Sequence, residues 1–255
     1  TATAAGVKYV ADSAEKNNTY TYELTNANQY SSVTANYGKL SITKAVLTIT
    51  ADSNSKEYDG TALTDNGWRD TAPVGLQSND AVESVTVTGS QTEVGSSANT
   101  ASAAVVKNGD VDVTANYEIE YVKGTLTITQ SSKALVITSS TKSWTYDGET
   151  HKDEVYTVTY DGTAATADES GKVFTLSNGD TVTITATAEG VKDYNASYSE
   201  NNTYTYEISN ASSYSDVTAN VGTLSINKRA VTLTSESGEK EYDGTPLTKP
   251  AVTVG

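Results

Sequence analysis

A six-residue turn sequence recurs along this chain and limits what it can fold into. Lys-Glu-Tyr-Asp-Gly-Thr occupies residues 56–61 and returns unchanged at 240–245, and a looser copy, Ser-Trp-Thr-Tyr-Asp-Gly, occupies 143–148. An Asp-Gly pair between strand-like residues predicts a tight hairpin turn, because Gly adopts a positive φ without strain and Asp tolerates it. A turn that recurs at long spacing indicates an array of similar domains. The predicted turn residues are Tyr58, Asp59, Gly60, Tyr146, Asp147, Gly148, Tyr242, Asp243 and Gly244.

The repeats are of two alternating types. Residues 1–64 align without a gap on residues 185–248, an offset of 184, and 39 of these 64 positions are identical. Val-Thr-Ala-Asn is a second marker, and it occurs at 33–36, 113–116 and 217–220. The chain is therefore expected to be a segment of a longer array. We predict four parts: the C-terminal part of a longer repeat at 1–44, a complete shorter repeat at 45–130, a complete longer repeat at 131–228, and the N-terminal part of a shorter repeat at 229–255.

Composition argues against several classes of function. The chain has 32 acidic and 17 basic residues and a net charge of −15. Nucleic acids and anionic lipids are both bound through basic surfaces, so we expect neither as a partner, and we expect no membrane insertion in this segment. The chain has no cysteine, which leaves neither disulfides nor thiolate chemistry.

Nearly every segment alternates apolar and polar residues with period two, which predicts β-strands. Val182 and Ile184 face one side against threonines on the other, and Tyr204, Tyr206 and Ile208 repeat the pattern. The positions 184 residues earlier, Tyr20, Tyr22 and Leu24, do the same, as do Tyr117, Ile119 and Tyr121. Such strands suit antiparallel sheets with one solvated face. We predict an all-β chain of tandem Ig-like β-sandwiches, with β-grasp-like repeats as the alternative.

The junctions between repeats contain no linker. Leu40-Ser41-Ile42-Thr43 is followed by Lys44 and at once by the strand-like residues 45–49, and the same order returns at 224–233. A last strand that runs almost directly into the next first strand leaves little freedom to hinge. Each repeat is therefore expected to have its neighbours in the chain as partners, stacked end to end as a semi-rigid rod.

The shorter repeat resembles a known family. Residues 56–64, Lys-Glu-Tyr-Asp-Gly-Thr-Ala-Leu-Thr, are similar to the opening of the YDG/MBG-type repeats of large bacterial surface proteins, and residues 113–117 and 124–128 are similar to their close. The longer repeats depart from that family in a Tyr-rich segment at 203–216. The resemblance implies tandem β domains of secreted, often wall-anchored adhesins. It implies a location outside the cell on the bacterial surface, with a cell-wall anchor in another part of the protein, and it supplies no catalytic residues.

The sequence favours no enzyme. His151 is the only histidine, and we interpret it as an ordinary loop residue, because a general base or a metal ligand would need partners that the other repeats lack. With one His and no Cys, neither Ser-His-Asp nor Cys-His systems can recur in each repeat. A glycosidase-like carboxylate pair stays open as an alternative, although the acidic residues lie mostly in turns.

Two further sites are alternatives to plain turns. Residues 108–112, Asn-Gly-Asp-Val-Asp, offer alternating oxygen ligands, but a calcium loop would need a Gly near its sixth position and a distal Glu. We expect a turn there and no cofactor, with Ca²⁺ as the alternative.

A Lys–Asn isopeptide crosslink would need a buried amine and amide beside a carboxylate. Its candidate residues are Lys56 and Lys240, the amides Asn36, Asn116 and Asn220, and the carboxylates Glu57 and Asp59.

The functional hypotheses differ in the role that they give to the aromatic residues. The tyrosines of the three turns are expected to pack over those turns, whereas Trp68, Trp144 and Tyr206 are candidates for stacking on sugar faces. Our leading hypothesis is a non-enzymatic stalk of a bacterial surface adhesin that projects a distal binding region. The alternatives are a module that binds host glycan, mucin or cell-wall glycan through Tyr- and Trp-rich loops, and a self-assembling surface fibre or sheath that pairs through edge strands.

Overall fold

The computed structural model describes residues 1–69, 75–77 and 79–255 and confirms the all-β prediction. The chain divides into two compact units, Thr1–Gln130 and Ser131–Gly255. The described residues of the first unit form three short 3₁₀ helices: η1 (Val10–Asp12), η2 (Ala27–Gln29) and η3 (Thr114–Asn116). Its strands are β1 (Ala14–Asn18), β2 (Gly38–Leu40), β3 (Ala45–Ala51), β4 (Asn54–Glu57), β5 (Trp68–Arg69), β6 (Asp80–Thr88), β7 (Gly95–Asn108), β8 (Val111–Asp112), β9 (Tyr117–Val122) and β10 (Gly124–Thr129).

The second unit contains one 3₁₀ helix, η4 (Ala211–Ser213). Its strands are β11 (Leu135–Ser139), β12 (Lys142–Thr145), β13 (Tyr156–Tyr160), β14 (Thr163–Ala164), β15 (Thr166–Ala167), β16 (Val173–Thr175), β17 (Thr181–Ala186), β18 (Tyr204–Ile208), β19 (Val217–Asn220), β20 (Leu224–Asn227), β21 (Leu233–Ser235) and β22 (Val252–Val254). Within the described residues, no helix has the length and apolar character needed to cross a membrane.

Two sheets enclose the core of the shorter repeat. One has the order β5-β3-β9, and the other has the order β4-β10-β7-β6 with β8 beside β7. Leu47 and Ile49 of β3 pack with Ala101 and Val106 of β7 in a single buried cluster, so both sheets contribute to one core. Alternate residues of β3 are buried, as the period-two pattern predicts. This is a sandwich-like arrangement; its Ig-like relationship stays a prediction.

Strand direction differs from the prediction of antiparallel sheets. β3 lies parallel to β9 and β4 parallel to β10, and β11–β19 and β12–β20 form the equivalent parallel pairs in the second unit. The first two strands of each repeat therefore lie beside its last two strands. Side-chain alternation reports which face is buried and carries no information about the direction of the neighbour, so the sequence pattern could not reveal this pairing.

The second unit has its own sheets, with the orders β14-β13-β11-β19, β12-β20, β15-β16-β17-β18 and β21-β22. Val182 and Ile184 are buried on β17, as predicted. β18 contains Tyr204, Tyr206 and Ile208, whereas at the positions 184 residues earlier only Tyr20 makes a bridge, to Ala2. The strand predicted at residues 20–24 is therefore wrong as far as residues 21–24 are concerned.

Local geometry nevertheless recurs at the offset of 184 residues. The side chain of Asn17 exchanges two hydrogen bonds with the backbone of Leu40, at 2.6 and 2.9 Å. Asn201 exchanges the equivalent pair with Leu224, at 2.7 and 3.0 Å. The asparagine at equivalent positions thus binds the backbone of the equivalent leucine in the last strand of both copies, which is the behaviour expected of related repeats.

The Asp-Gly turns are real, but they are not hairpins. Gly60, Gly148 and Gly244 have φ values of +79°, +87° and +75°, which confirms the predicted need for glycine. The strand before the first turn, β4, pairs with the distant strand β10 rather than with a strand that follows the turn. The hairpin prediction is therefore wrong, because the turn chemistry determines the local bend and not the partner of the strand that enters it.

The marker Val-Thr-Ala-Asn adopts two different conformations. In the shorter repeat Thr114–Asn116 form η3, whereas in the longer repeat Val217–Asn220 form strand β19. The two copies are therefore not structurally equivalent, although their sequences are identical. The equivalent of η3 in the longer repeat is η4, because each of these helices is followed directly by a tyrosine whose hydroxyl donates to an aspartate side chain.

Candidate functional site

The Asp-Gly turn of the shorter repeat is held by its aspartate. Asp59 Oδ1 accepts hydrogen bonds from Lys56 Nζ at 2.7 Å, from the Thr61 backbone N–H at 2.9 Å and from the Thr61 hydroxyl at 2.7 Å. These donors, Lys56 foremost, lower the pKa of Asp59 to about 2. Asp243 has the same lysine and threonine partners and a pKa lowered to about 2. The conserved turn sequence therefore encodes a local polar cluster.

The longer repeat builds the same turn with different residues. Trp144 stands where the shorter repeat has its lysine, and His151 Nε2 lies 3.1 Å from both carboxylate oxygens of Asp147. The His151 ring stacks on Trp144 with centroids 5.0 Å apart. The pKa of Asp147 is lowered, first by the backbone N–H of Glu149 and then by His151. The single histidine thus supports a turn.

The three turn tyrosines have different surroundings. Tyr58 is buried, with 3% of its surface exposed, whereas Tyr146 is 42% and Tyr242 is 97% exposed. The expectation that all three pack over their turns is therefore wrong for Tyr146 and Tyr242.

The structure does not bring the three candidate sugar-stacking residues together. Trp68 lies in the first unit and packs, half-buried, against the core of the shorter repeat. Trp144 lies in the second unit and packs against Val191, Leu224 and Ile226. Tyr206, on β18, is 37% exposed. Both tryptophans therefore have structural surroundings, and only Tyr206 presents much of its ring to solvent.

A different set of tyrosines forms an exposed cluster in the first unit. The ring centroids of Tyr20 and Tyr22 are 6.2 Å apart, and those of Tyr20 and Tyr37 are 5.3 Å apart. All three side chains are exposed. Sequence reasoning missed Tyr37 as a member, because it lies outside the alternating segment that contains the other two.

In the predicted turn at residues 108–112, the side chains of Asn108 and Asp112 have partners within the protein. Asp112 Oδ1 accepts the Thr114 backbone N–H at 2.9 Å, and hydrogen bonding to Thr114, first to its side chain and then to its backbone, lowers the pKa of Asp112. Asn108 Nδ2 donates to Asp80 Oδ1 at 2.6 Å. Across residues 1–69, 75–77 and 79–255, no group of three or more His, Cys, Asp or Glu is arranged to hold a metal ion.

The structure does not pair the candidate crosslinking residues. Lys56 and Lys240 donate to their turn aspartates and threonines. Asn116 Oδ1 instead accepts the backbone N–H of Val10 at 2.8 Å, and Asn220 Nδ2 lies 3.4 Å from the Thr138 hydroxyl. Asn116 and Asn220 each end a copy of Val-Thr-Ala-Asn, but Asn116 lies in a 3₁₀ helix and Asn220 lies in a strand.

Two buried asparagines occupy equivalent places that sequence reasoning missed. Asn99 Nδ2 donates to the backbone oxygens of Asp52 and Asp65, each at 2.9 Å. Asn202 Nδ2 donates to the backbone oxygen of Ser140 at 2.9 Å. Each amide satisfies a carbonyl just beyond the first strand of its repeat. The sequences around the two asparagines differ, so their equivalence is visible only in the structure, where both bind the carbonyl that follows the first strand.

A pair of tyrosine–aspartate contacts is also common to both repeats. Tyr117 donates to Asp80 Oδ2 at 2.5 Å, and Tyr214 donates to Asp180 Oδ2 at 2.6 Å. Burial comes first among the causes that raise the pKa of each tyrosine, and the bonded aspartate comes next. Asn210 also donates to Asp180, at 2.7 Å.

The first unit contains a contact between two predicted repeats. Tyr9, from the part assigned to a longer repeat, packs against the core of the shorter repeat. Its neighbour Val10 donates its N–H to Asn116. A cleft of about 620 Å³ lies beside this contact and is lined from both sides of the junction by residues that include Lys8, Lys44 and Asn79. The candidate functional site of this chain is therefore the junction.

Comparison of the chain with models of protein families, with curated proteins and with solved structures finds no match. The family resemblance described above accordingly enters the functional argument only as part of a proposal.

Proposed function

We propose that this chain is a non-enzymatic stalk segment of a large bacterial surface adhesin. It holds a distal binding region away from the envelope, and it lies outside the cell, anchored through another part of the protein. The resemblance of residues 56–64 to YDG/MBG-type repeats supports the location, and the junction supports the mechanism.

The observation that carries the proposal is the direct passage between repeats at residues 41–44. β2 ends at Leu40 and β3 begins at Ala45, and both strands belong to one compact unit. Four intervening residues cannot act as a flexible tether, since flexible linkers need length to decouple domains. A stalk needs this property, because a freely jointed chain would not hold its end at a distance.

Net charge favours the same function. The charge of −15 gives the units a repulsive, well-hydrated surface that discourages lateral adhesion between neighbouring molecules. Solvated threonine-rich strand faces add to this effect.

Small-angle X-ray scattering on the full 255-residue chain tests the proposal. We expect a pair-distance distribution with an early maximum and a long tail, typical of a rod with the cross-section of one domain. The profile should be stable between low and moderate salt, because the extension comes from packing and not from charge repulsion. A symmetric profile of one compact particle, or an ensemble that requires free hinging at residues 41–44, would contradict the stalk.

The exposed cluster of Tyr20, Tyr22 and Tyr37 favours a second candidate, a glycan-binding module. Tyrosine rings combine an apolar face with a polar edge, which suits sugar stacking. The test is titration of the chain with mucin and cell-wall glycans. Saturable binding that Tyr22→Ala and Tyr37→Ala abolish, and that the matched control Tyr30→Ala retains, would establish this function. A flat response from the unaltered chain would remove it.

A further inference from the structure

We propose that residues 8–13, which we call the arm, are a docking element through which a longer repeat binds the shorter repeat that follows it. The inference rests on the proposed stalk, because it names the contact that makes the junction at residues 41–44 stiff. Its partner is the turn formed by η3 and Tyr117.

The arm is held in shape by its own aspartate. Asp12 Oδ2 accepts the backbone N–H of Lys8 at 3.0 Å and of Tyr9 at 2.8 Å. The Asp12 N–H donates back to the Tyr9 carbonyl at 3.0 Å, and the Ser13 N–H donates to the Val10 carbonyl at 3.2 Å. The arm is therefore organised by bonds within itself, which lowers the entropic cost of docking.

The docked contact has one polar and one apolar part. Val10 donates its N–H to Asn116 Oδ1 at 2.8 Å in a half-buried position. Tyr9 packs against the buried cluster that contains Val113 and Tyr117. An aromatic anchor beside a directional hydrogen bond is the usual composition of a specific contact.

The target turn differs between the two types of repeat. Asn116 is the last residue of η3, directly before Tyr117, and the corresponding residue before Tyr214 in η4 is Ser213. Ser213 is buried and has a side chain too short to extend to a neighbour. The acceptor for the arm is therefore a feature of the shorter repeat.

The arm lies in a connection that has more residues in the longer repeats than in the shorter repeat. In the shorter repeat, only residues 92–94 lie between the Leu63–Gln91 bridge and the next strand, β7. In the longer repeat, residues 192–197 follow Val191, the partner of His151 in the equivalent bridge. The second longer repeat has Asp193 and Ala196 at the positions of Tyr9 and Asp12, so the docking contact belongs to the junction at residues 41–44.

The cleft beside the contact limits the number of groups that hold the junction together. With about 620 Å³ of open space flanking the arm, the Val10–Asn116 bond and the Tyr9 ring provide the docking contact. Loss of either group should therefore measurably loosen the junction.

The absence of cysteine makes the test direct. Spin labels at Thr25→Cys and Glu120→Cys, both exposed positions, report the distance across the junction in the full chain by double electron–electron resonance. The critical variant is Val10→Pro. Proline lacks the N–H donor and is tolerated at the first position of a helical turn, and the extended conformation of Tyr9 (φ −115°, ψ 158°) accepts a following proline.

We expect one narrow distance distribution in the labelled chain and a distribution about twice as wide, or wider, in Val10→Pro, because the bond is absent. Asn116→Ala should have the same effect, and the double variant should be no wider than either single one, since both remove the same interaction. Ala11→Ser, an exposed change in the same turn, is the matched control and should leave the distribution narrow. Near-ultraviolet circular dichroism verifies that each variant is folded.

Two outcomes would overturn the arm, and they separate it from the stalk. A narrow distribution that persists in Val10→Pro and in Asn116→Ala removes the arm and leaves the stalk intact. A broad distribution in the unaltered labelled chain contradicts both. If Val10→Pro does not fold, Asn116→Ala alone decides, because the backbone N–H of Asn116 and its bond to Val113 are unaffected by that change.

Discussion

At one position in each complete repeat, a backbone oxygen lies so close to the chain that only glycine fits. Gly124 and Gly222 begin the equivalent segments Gly-Thr-Leu of the shorter and longer repeats. A Cβ at Gly124 would lie 2.1 Å from the backbone oxygen of Asp52, and one at Gly222 would lie 2.1 Å from that of Ser140. These oxygens are the same ones that the buried asparagines bind, so the carbonyl, the amide and the glycine form one conserved local unit.

We therefore expect Gly124→Ala and Gly222→Ala each to lower the free energy of unfolding by about 1–3 kcal/mol, the usual cost of overpacking. Each unit contains one tryptophan, so urea unfolding followed by fluorescence in Trp144→Phe reports on the first unit and in Trp68→Phe on the second. Gly6→Ala, where a Cβ meets nothing within 4 Å, is the control. Equal stability of Gly124→Ala and Gly6→Ala would show that the close approach does not constrain the fold.

Ionisation of Asp59 makes the stability of the first turn depend on pH. Its pKa is about 2 in the folded chain and about 3.8 as the ordinary value, so its ionised form is favoured by folding. The stabilisation is present above about pH 4 and is lost as the pH falls through about 2. Because the side chain is half-exposed, the size of the effect is reduced by solvent screening.

The difference in unfolding free energy between the natural chain and Asp59→Asn should therefore shrink as the pH falls from about 4 to about 2. Urea titrations at a series of pH values, with Trp68 as the probe, measure it. Asp110→Asn, at an exposed position of the same repeat, serves as the reference substitution. If the difference in unfolding free energy does not depend on pH, the ionised carboxylate of Asp59 does not stabilise the turn.

At the scale of the element, one bend is built with two sets of side chains. Lysine and threonine surround the aspartate in the shorter repeat, whereas a stacked Trp144 and His151 support Asp147 in the longer repeat. The backbone of His151 also bridges to Val191 in both directions, at 2.8 and 2.9 Å. The turn is conserved as a shape, while its chemistry changes.

His151→Ala should destabilise the second unit by about 1 kcal/mol, the value of one aromatic stacking contact with an exposed hydrogen bond. Thermal unfolding of Trp68→Phe chains, followed by Trp144 fluorescence, measures this change. Lys152→Ala, the exposed neighbour, should have no effect beyond a few tenths of a kcal/mol. If both variants unfold like the natural chain, the stacked pair contributes nothing to the turn.

At the scale of the whole molecule, excess negative charge opposes the compact units. The described ion pairs are largely exposed and contribute little individually, so repulsion among the 32 acidic residues should outweigh them. Salt screens both the repulsion and the ion pairs, and the larger of the two decides whether added salt stabilises or destabilises the fold.

We expect the melting temperature to rise when NaCl is increased from about 20 to about 300 mM, because screening relieves the net repulsion. A chain with Glu118→Gln, Glu120→Gln and Glu207→Gln, at three exposed positions, should show a weaker dependence. Differential scanning calorimetry provides the measurement. A fall in melting temperature with salt would mean that the ion pairs dominate.

The sequence by itself determined the local features of this protein. Period-two alternation determined the all-β class, because side chains of a strand alternate between faces whatever its neighbours are. The Asp-Gly pairs determined the positive φ of Gly60, Gly148 and Gly244, because that conformation depends on the residue and its immediate neighbours. The offset of 184 residues likewise aligned Asn17 with Asn201, and these two side chains make matching bonds in the structure.

Only the tertiary structure decided how these local features combine. It placed β3 beside β9 and β4 beside β10, pairings between residues more than 70 positions apart that no local pattern encodes. It made one copy of Val-Thr-Ala-Asn a 3₁₀ helix and another a strand, because hydrogen-bond partners from elsewhere override the weak preference of four residues. It packed the two tryptophans proposed to face a ligand, half-buried, against hydrophobic clusters, and it brought the arm onto Asn116, since burial and docking depend on what the rest of the chain places nearby.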